Sequence, residues 1–480
     1  MKQNKNNSKI VFSVIALLIY LIAWGNLLFN WNVFSIPSDA FSTICIFVTS
    51  ILLWIFVATD WPSLLAILSI GILPKIGFNS ALQGSFGNTT FVFLLFTFIV
   101  TYALNQTMFF KRVSYVLLNS KLAKSSGYGF IASFLLVVLF ISSIMSPTVI
   151  FMFLFPLYEE LVHQFGWKKG DKSASRLLFA LFTTIAIGTA MTPINHVFSV
   201  TAMSIFKAST NTEITNLQYM ILGIPSGLIL FGFLLLFIRK IDFSNIKNVS
   251  LESLKNIGKM EKREKIIVSI FFTMIGLWIV PEMFMSVFPN FAKTIKGMGL
   301  AFPPLLVTII LLIIKIDDKP LLNISEAITK GVHWPSLLLV AATLLLGSTI
   351  SNKEIGVVQI IQDNVTPLIK NLSPMIIVFI FATIAGLSTN FTSNLVTVSF
   401  VSTILMTLKP FGVNLASVIS IIGFASSLAM MTAPSMPYVA VSIGSEWTNS
   451  KDCIKFGGIF LVISTLILTF ITYQIGVVVF

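Results

Sequence analysis

The sequence predicts an all-α polytopic membrane protein: eleven transmembrane helices in an inverted repeat, with two re-entrant helical hairpins and two broken helices. Three observations lead there. The 480 residues are 56% hydrophobic and only 10% charged, against roughly 25% charged in soluble domains. Apolar runs close to the ~20 residues that cross a bilayer recur from end to end. Two of those runs are over-long and interrupted midway by polar residues, and Ser393 in the second follows Ser146 in the first by 247 residues.

Taken in order, the spans fall near 10–30, 41–58, 61–76, 88–110, 177–204, 217–238, 266–286, 297–314, 334–351, 415–445 and 456–479. No stretch between them is large enough for a soluble domain, so residues 1–480 form one membrane domain. The first run, Ile10 to Phe29, is longer than a signal-peptide core and no small-x-small cleavage site follows it, so it reads as a retained anchor. Cys45 and Cys453 have no metal-like spacing.

The net charge of +13 does not point to nucleic acid, because the basic residues are scattered among loops between spans. They carry orientation instead. If both over-long stretches enter and leave on one side and the N-terminus is cytoplasmic, 24 of the 31 Lys and Arg fall on the cytoplasmic side. Lys75, Lys207, Lys293, Lys296, Lys353, Lys370 and Lys409 lie on the other, which also holds the C-terminus. Anionic lipid or water is partner enough for the basic loop 239–265.

The over-long stretches are 127–158, containing "IMSPTVIFMF" (144–153), and 374–408, containing "FTSNLVTVSF" (391–400). The spans before them, 87–109 and 333–355, keep nearly the same offset. An odd number of crossings between equivalent positions inverts the second copy, giving repeats over 41–240 and 266–480, the arrangement of many secondary transporters. A leg from Gly127 to Met145 reaches about 28 Å, but the leg from Thr148 to Leu157 only about 15 Å, too short to cross. A hairpin turning at Ser146-Pro147 satisfies both lengths, since proline lacks an amide donor. Irregular backbone at that depth must be buried in protein or line a cavity. Two more breaks, "GTAMTPINH" (188–196) and "MMTAPSMPY" (430–438), each follow one element after a hairpin. Four such tips meeting at mid-depth would turn helix N-termini toward an anion and free carbonyls toward a small cation.

With these residues in hand, the chain resembles the divalent-anion:sodium symporter family, carriers of di- and tricarboxylates and of sulfate. The resemblance covers nearly the whole chain, through "WIFVATDWPSLLAILSIGILPKIGF" (54–78), "SFGNTTFVFLLFTFIVTYALNQTMFFKR" (85–112) and the hairpin tips, which stand at the family's paired Ser-Asn-Thr motifs. The first tip is Ser146-Pro147-Thr148 with Ser142 one turn earlier; the second is Ser393-Asn394-Leu395 with Thr389 before it. Pro147 stands where the family has Asn, and Leu395 where it has Thr. The family's Thr-Pro-Pro-Asn is matched by Thr192-Pro193-Ile194-Asn195, and its counterpart by Thr432-Ala433-Pro434-Ser435.

The resemblance implies a substrate site from Thr148, Asn394, Ser146, Ser393, Asn195 and Pro434, and a sodium site from Ser142, Ser146, Thr389, Asn394, Thr192 and Thr432. It also implies elevator-like movement on a homodimeric scaffold in the cell membrane. No Lys, Arg, Asp or Glu lies in the four tips, which favours helix dipoles and co-bound cations over a proton relay. The competing carrier is a sodium-independent exchanger in which His196 takes the place of a cation; a sulfate carrier is the inorganic variant. An enzyme is disfavoured, because the spans hold no HExxH and no pair of intramembrane aspartates. A channel would need a continuous polar ring.

Overall fold

The computed structural model describes residues 2–29, 31, 36–194, 196–243, 258–284, 287–369, 371–433 and 435–480. The first half contains α1 (Lys2–Phe29), α2 (Ser38–Phe56), α3 (Trp61–Gly71), α4 (Phe78–Ser85), α5 (Thr89–Asn105), α6 (Phe109–Leu118), α7 (Lys121–Ser125), α8 (Gly127–Ser142), α9 (Pro147–Gln164), α10 (Lys172–Met191), α11 (Val197–Thr210) and α12 (Asn216–Ile238). The second contains α13 (Lys262–Met283), α14 (Pro289–Gly297), α15 (Phe302–Ile313), α16 (Ile324–Glu326), α17 (Trp334–Ser351), α18 (Val357–Ile369), α19 (Pro374–Ser388), α20 (Asn394–Leu408), α21 (Leu415–Ala425), α22 (Pro437–Gly444), α23 (Ser450–Ile467) and α24 (Tyr473–Val479). A two-residue ribbon, Lys315–Ile316 against Lys319–Pro320, turns at Asp317 and Asp318, both at positive φ as such a tight hairpin requires.

Among the described residues seven helices are long and apolar enough to cross a membrane, and α4 with α5, bent by 41°, makes an eighth if counted as one span. This is a polytopic helical membrane protein. Burial sorts the spans: 94% of the α10 window is enclosed by protein, but only 22% of α1, whose Ile10, Leu18 and Leu21 face outward. A helix apolar all round suits the first position, and one with an apolar outer face the second.

Both over-long stretches are broken where polar residues interrupt them, α8 from α9 at 143–146 and α19 from α20 at 389–393. The spans expected at 177–204 and 415–445 are likewise broken, α10 from α11 and α21 from α22. Two expectations need correction. The return limb after Pro147 is not a ten-residue stub, because α9 continues through Pro156 to Gln164, 18 residues or about 27 Å, so shortness is not what marks the hairpin. The reason is that Glu159, Glu160 and His163 extend the helix beyond its apolar part. The spans at 61–76 and 297–314 contain helices of only 11 and 12 residues; Gly77 and Gly299, at positive φ, mark the turns beside them. Cys453 lies buried within α23.

The packing exchanges parts between halves. The second limb of the first broken helix, α11, packs on α20 and α21 of the second half. The second limb of the other, α22, packs on α9 and α10 of the first. Each half is thus completed by an element of the other, and all four breaks are drawn to one region.

Candidate functional site

Side-chain caps are present at some helix starts and absent at others, with α2, α4, α10 and α15 among the uncapped. Asn88, Ser126, Thr215, Ser373, Asn414 and Asn449 cap α5, α8, α12, α19, α21 and α23 with their side chains. The four helices that start at breaks have no side-chain cap, although Ser146 precedes α9 and Ser393 precedes α20. First-turn amides have no partner one turn back; Pro147 and Pro437 have no N–H, Val439 donates to the Met436 carbonyl, and those left over can meet a ligand or water. Pro147 does not merely interrupt: it stands at the first turn of α9, where its missing N–H costs nothing and its fixed φ suits the helix.

At the first tip Ser142 closes α8, is 1% exposed, and donates to the carbonyls of Val138 (2.7 Å) and Leu139 (3.1 Å). Gly188 of α10 lies directly against it: a Cβ built there would be 1.9 Å from Ser142 Oγ. The Thr192 hydroxyl, at the end of α10, donates to the Ser143 carbonyl. Ser146 and Thr148 are partly exposed.

At the second tip Thr389 and Asn394 converge on one acceptor, the Ser426 carbonyl, at 2.6 Å from Thr389 Oγ1 and 3.0 Å from Asn394 Nδ2. The Thr432 hydroxyl donates to the Asn390 carbonyl, as Thr192 does to that of Ser143. Asn390 follows Ser143 by the same 247 positions that separate Ser393 from Ser146. Ser393 itself is partly exposed.

Hydrogen bonds join the two sides. His196 presents Nδ1 to Ser199 Oγ (2.9 Å) and Nε2 to Ser427 Oγ (3.2 Å). Ser199 donates to Tyr219 (2.6 Å), whose hydroxyl donates to the Ala190 carbonyl (2.9 Å). Both nitrogens of the buried imidazole are thus taken up by hydroxyls, leaving none for a solute anion. Asn195 and Pro434 lie outside the described residues.

Sequence reasoning missed Asn390. Fully buried, it accepts from the Met430 and Met431 amides, both at 2.8 Å, and donates to the carbonyls of Gly386 (2.7 Å) and Leu428 (3.2 Å). One side chain thereby fixes the unwound segment after α21 against the tip of α19. The signal was available, since Asn390 lies within the polar run that breaks the second stretch. Ser426 and Ser427, which supply a carbonyl and a hydroxyl, stand among apolar residues with nothing to distinguish them.

The donor set is chemically coherent. Among the described residues no cluster of His, Cys, Asp or Glu could hold a metal ion. Neutral oxygens dominate. Thr192, Thr389 and Thr432 spend their hydroxyl protons on carbonyls, and each oxygen keeps a lone pair for a hard cation. Uncapped helix amides beside them suit an anion.

A polytopic helical membrane protein with uncapped, unwound helix starts gathered in its interior belongs to the class of membrane carriers. The sequence matches the citrate transporter family over residues 44–433, and the chain belongs to that family. It is 24% identical to the sodium-dependent dicarboxylate transporter SdcS of Staphylococcus saprophyticus, over 98% of this chain and 93% of that protein. It is 25% identical to proteins of the same name from Staphylococcus aureus strains MRSA252 and USA300, over 90% of this chain and 86% of theirs. The protein is a transporter and not an enzyme, and the resemblance to divalent-anion:sodium symporters read from the sequence is borne out.

Proposed function

We propose that the protein is a secondary active transporter that moves a small divalent organic anion, a di- or tricarboxylate, by sodium-coupled symport. The names of its family and relatives, citrate transporter and sodium-dependent dicarboxylate transporter, support the carboxylate and the cation. The observation that carries the site is the matched bonding of Thr192 to Ser143 and of Thr432 to Asn390, beside helices α9 and α20 that start without side-chain caps.

In this reading Ser146, Thr148, Ser393 and Asn394 meet the carboxylates, together with Asn195 and Pro434. Ser142, Ser146, Thr192, Thr389, Asn394 and Thr432, with nearby carbonyls, hold sodium. A neutral site makes the coupling intelligible: without a fixed cation, a doubly charged anion is costly to bury until co-bound cations offset its charge. The engagement of both His196 nitrogens by hydroxyls favours this reading over an exchanger that uses imidazolium as its cation.

The architecture proposed with it has eleven crossings and inverted repeats over 41–240 and 266–480, with re-entrant hairpins 127–158 and 374–408. The succession helix, break, helix, helix, break, helix recurs in both halves, and the exchange of α11 and α22 between halves supports the pairing. The N-terminus is cytoplasmic and the C-terminus external, the hairpins move elevator-fashion against the scaffold, and two copies form a dimer in the cell membrane.

Uptake of labelled succinate and citrate into proteoliposomes tests the central claim. An inward sodium gradient is expected to drive accumulation that choline does not; uptake unchanged by the replacement, or sulfate uptake exceeding both carboxylates, refutes it.

A further inference from the structure

Where α12 starts and α13 ends, a cavity of about 70 Å³ is lined by Glu213, Thr215, Asn216, Trp278, Ala292 and Leu300, among others. Its polar lining is spoken for with one exception. Glu213 pairs with Lys207 at 2.9 Å, Thr215 and Gln218 form a reciprocal cap, and Trp278 donates to the Leu300 carbonyl at 3.3 Å. Asn216 is 4% exposed, and neither its amide nitrogen nor its amide oxygen has a partner. A buried polar group without a partner is unfavourable, so this one awaits a partner that can both donate and accept.

A second cavity, of about 180 Å³, shares Pro281 and Ala292 with the first and is otherwise lined by Val280, Phe284, Phe288 and Phe291. The three phenylalanines are 45%, 60% and 52% exposed and follow Lys262–Pro281, a helix long and apolar enough to cross a membrane, so in a bilayer an acyl chain is within their reach. A compartment with an orphaned amide thus adjoins one walled by apolar side chains that opens outward. Water could satisfy Asn216 but has no use for the apolar compartment, and a soluble solute has none either. An amphipathic molecule uses both.

We propose that this paired cavity binds a membrane phospholipid, its head-group region hydrogen-bonded to Asn216 and an acyl chain lying against Phe284, Phe288 and Phe291. A free donor and a free acceptor on one amide fit a head group carrying both hydroxyls and ester or phosphate oxygens, as phosphatidylglycerol does. None of its lining belongs to the four breaks.

The test is native mass spectrometry of the full chain, gently delipidated and resupplied with phosphatidylglycerol, alongside its melting temperature. The expected result is one retained lipid above the non-specific background and a rise in melting temperature on adding it, as for any ligand of the folded state alone. Asn216→Leu removes the amide while keeping the branched shape, and Ala292→Phe fills the junction of the two cavities. Both are expected to lose the retained lipid and the rise while still migrating as folded protein; if Ala292→Phe fails to fold, Asn216→Leu decides alone. Absence of a stoichiometric lipid on the unaltered protein, its persistence in Asn216→Leu, or an equal rise with glycerol 3-phosphate in place of lipid overturns the proposal.

Discussion

The imidazole of His196 and the hydroxyl of Ser427 lie 3.2 Å apart, Nε2 to Oγ, across 231 residues of sequence. Neither residue belongs to a regular helix: His196 precedes α11, and Ser427 follows α21. Their contact joins the unwound segment of one half to that of the other, while Thr192 and Asn390 tie each segment to its own hairpin tip. The four breaks therefore form one connected polar region in an apolar interior. An unpaired polar group is costly in such a setting, and the buried Ser426 hydroxyl there has no partner among the described residues.

Asn390→Ala removes four hydrogen bonds and strands the Met430 and Met431 amides in a buried setting. Each stranded group costs about 1–3 kcal/mol. The variant is expected to melt lower and to lose sodium-dependent uptake, as measured by thermal unfolding and proteoliposome assay. Asn390→Asp keeps the acceptor but faces two carbonyls without donors, and is expected to recover little.

Gly188→Ala places a methyl 1.9 Å from Ser142 Oγ and 2.6 Å from the Leu139 carbonyl. Overpacking of this kind costs about 1–3 kcal/mol. If Ser142 contributes to the cation site, the sodium concentration giving half-maximal uptake rises in this variant. Adding Ser142→Ala relieves only the side-chain clash, because the Leu139 carbonyl is backbone, so the double variant stays impaired.

His196→Phe preserves ring bulk but removes both bonding nitrogens, leaving Ser427 and Ser199 each short of a partner. Uptake is expected to fall about tenfold or more, the equivalent of some 1.4 kcal/mol. His196→Gln, able to reach one hydroxyl, is expected to fall between. Counterflow without sodium that survives in the unaltered protein and vanishes in His196→Gln would instead favour the exchanger.

Arg112 at the start of α6 grips Glu264 at the start of α13 through two contacts of 3.0 Å, with the carboxylate only 8% exposed. This charge-assisted pair joins the two halves and involves none of the residues at the four breaks. Glu264→Gln is expected to cost roughly 1–3 kcal/mol in stability while leaving the sodium dependence of uptake unchanged. A thermal melt and a sodium titration of uptake separate the two effects.

Much of this was legible from residues alone. Ser146-Pro147 and Ser393-Asn394 mark the breaks because a chain in lipid must satisfy its backbone internally, so polar residues and proline midway through an apolar run carry unusual information. The same argument failed at the return limb, where α9 extends past its apolar part to Gln164, because charged residues continue a helix as readily as they end a span. Asn390 was passed over because one polar residue in a polar run announces no partner; its role comes from amides 40 and 41 positions further on.

The sequence by itself determined the solvent of this protein, the helical class and the positions of the four breaks, since each follows from local composition and spacing; the family came from the resemblance of its motifs. Only the tertiary structure decided that α11 lies with the second half and α22 with the first, that Thr389 and Asn394 share one carbonyl, and that His196 bonds Ser427. The reason is physical. Hydrophobic periodicity reports whether a face is buried but not against what, whereas a hydrogen bond needs two particular groups within about 3 Å, a condition set by packing alone.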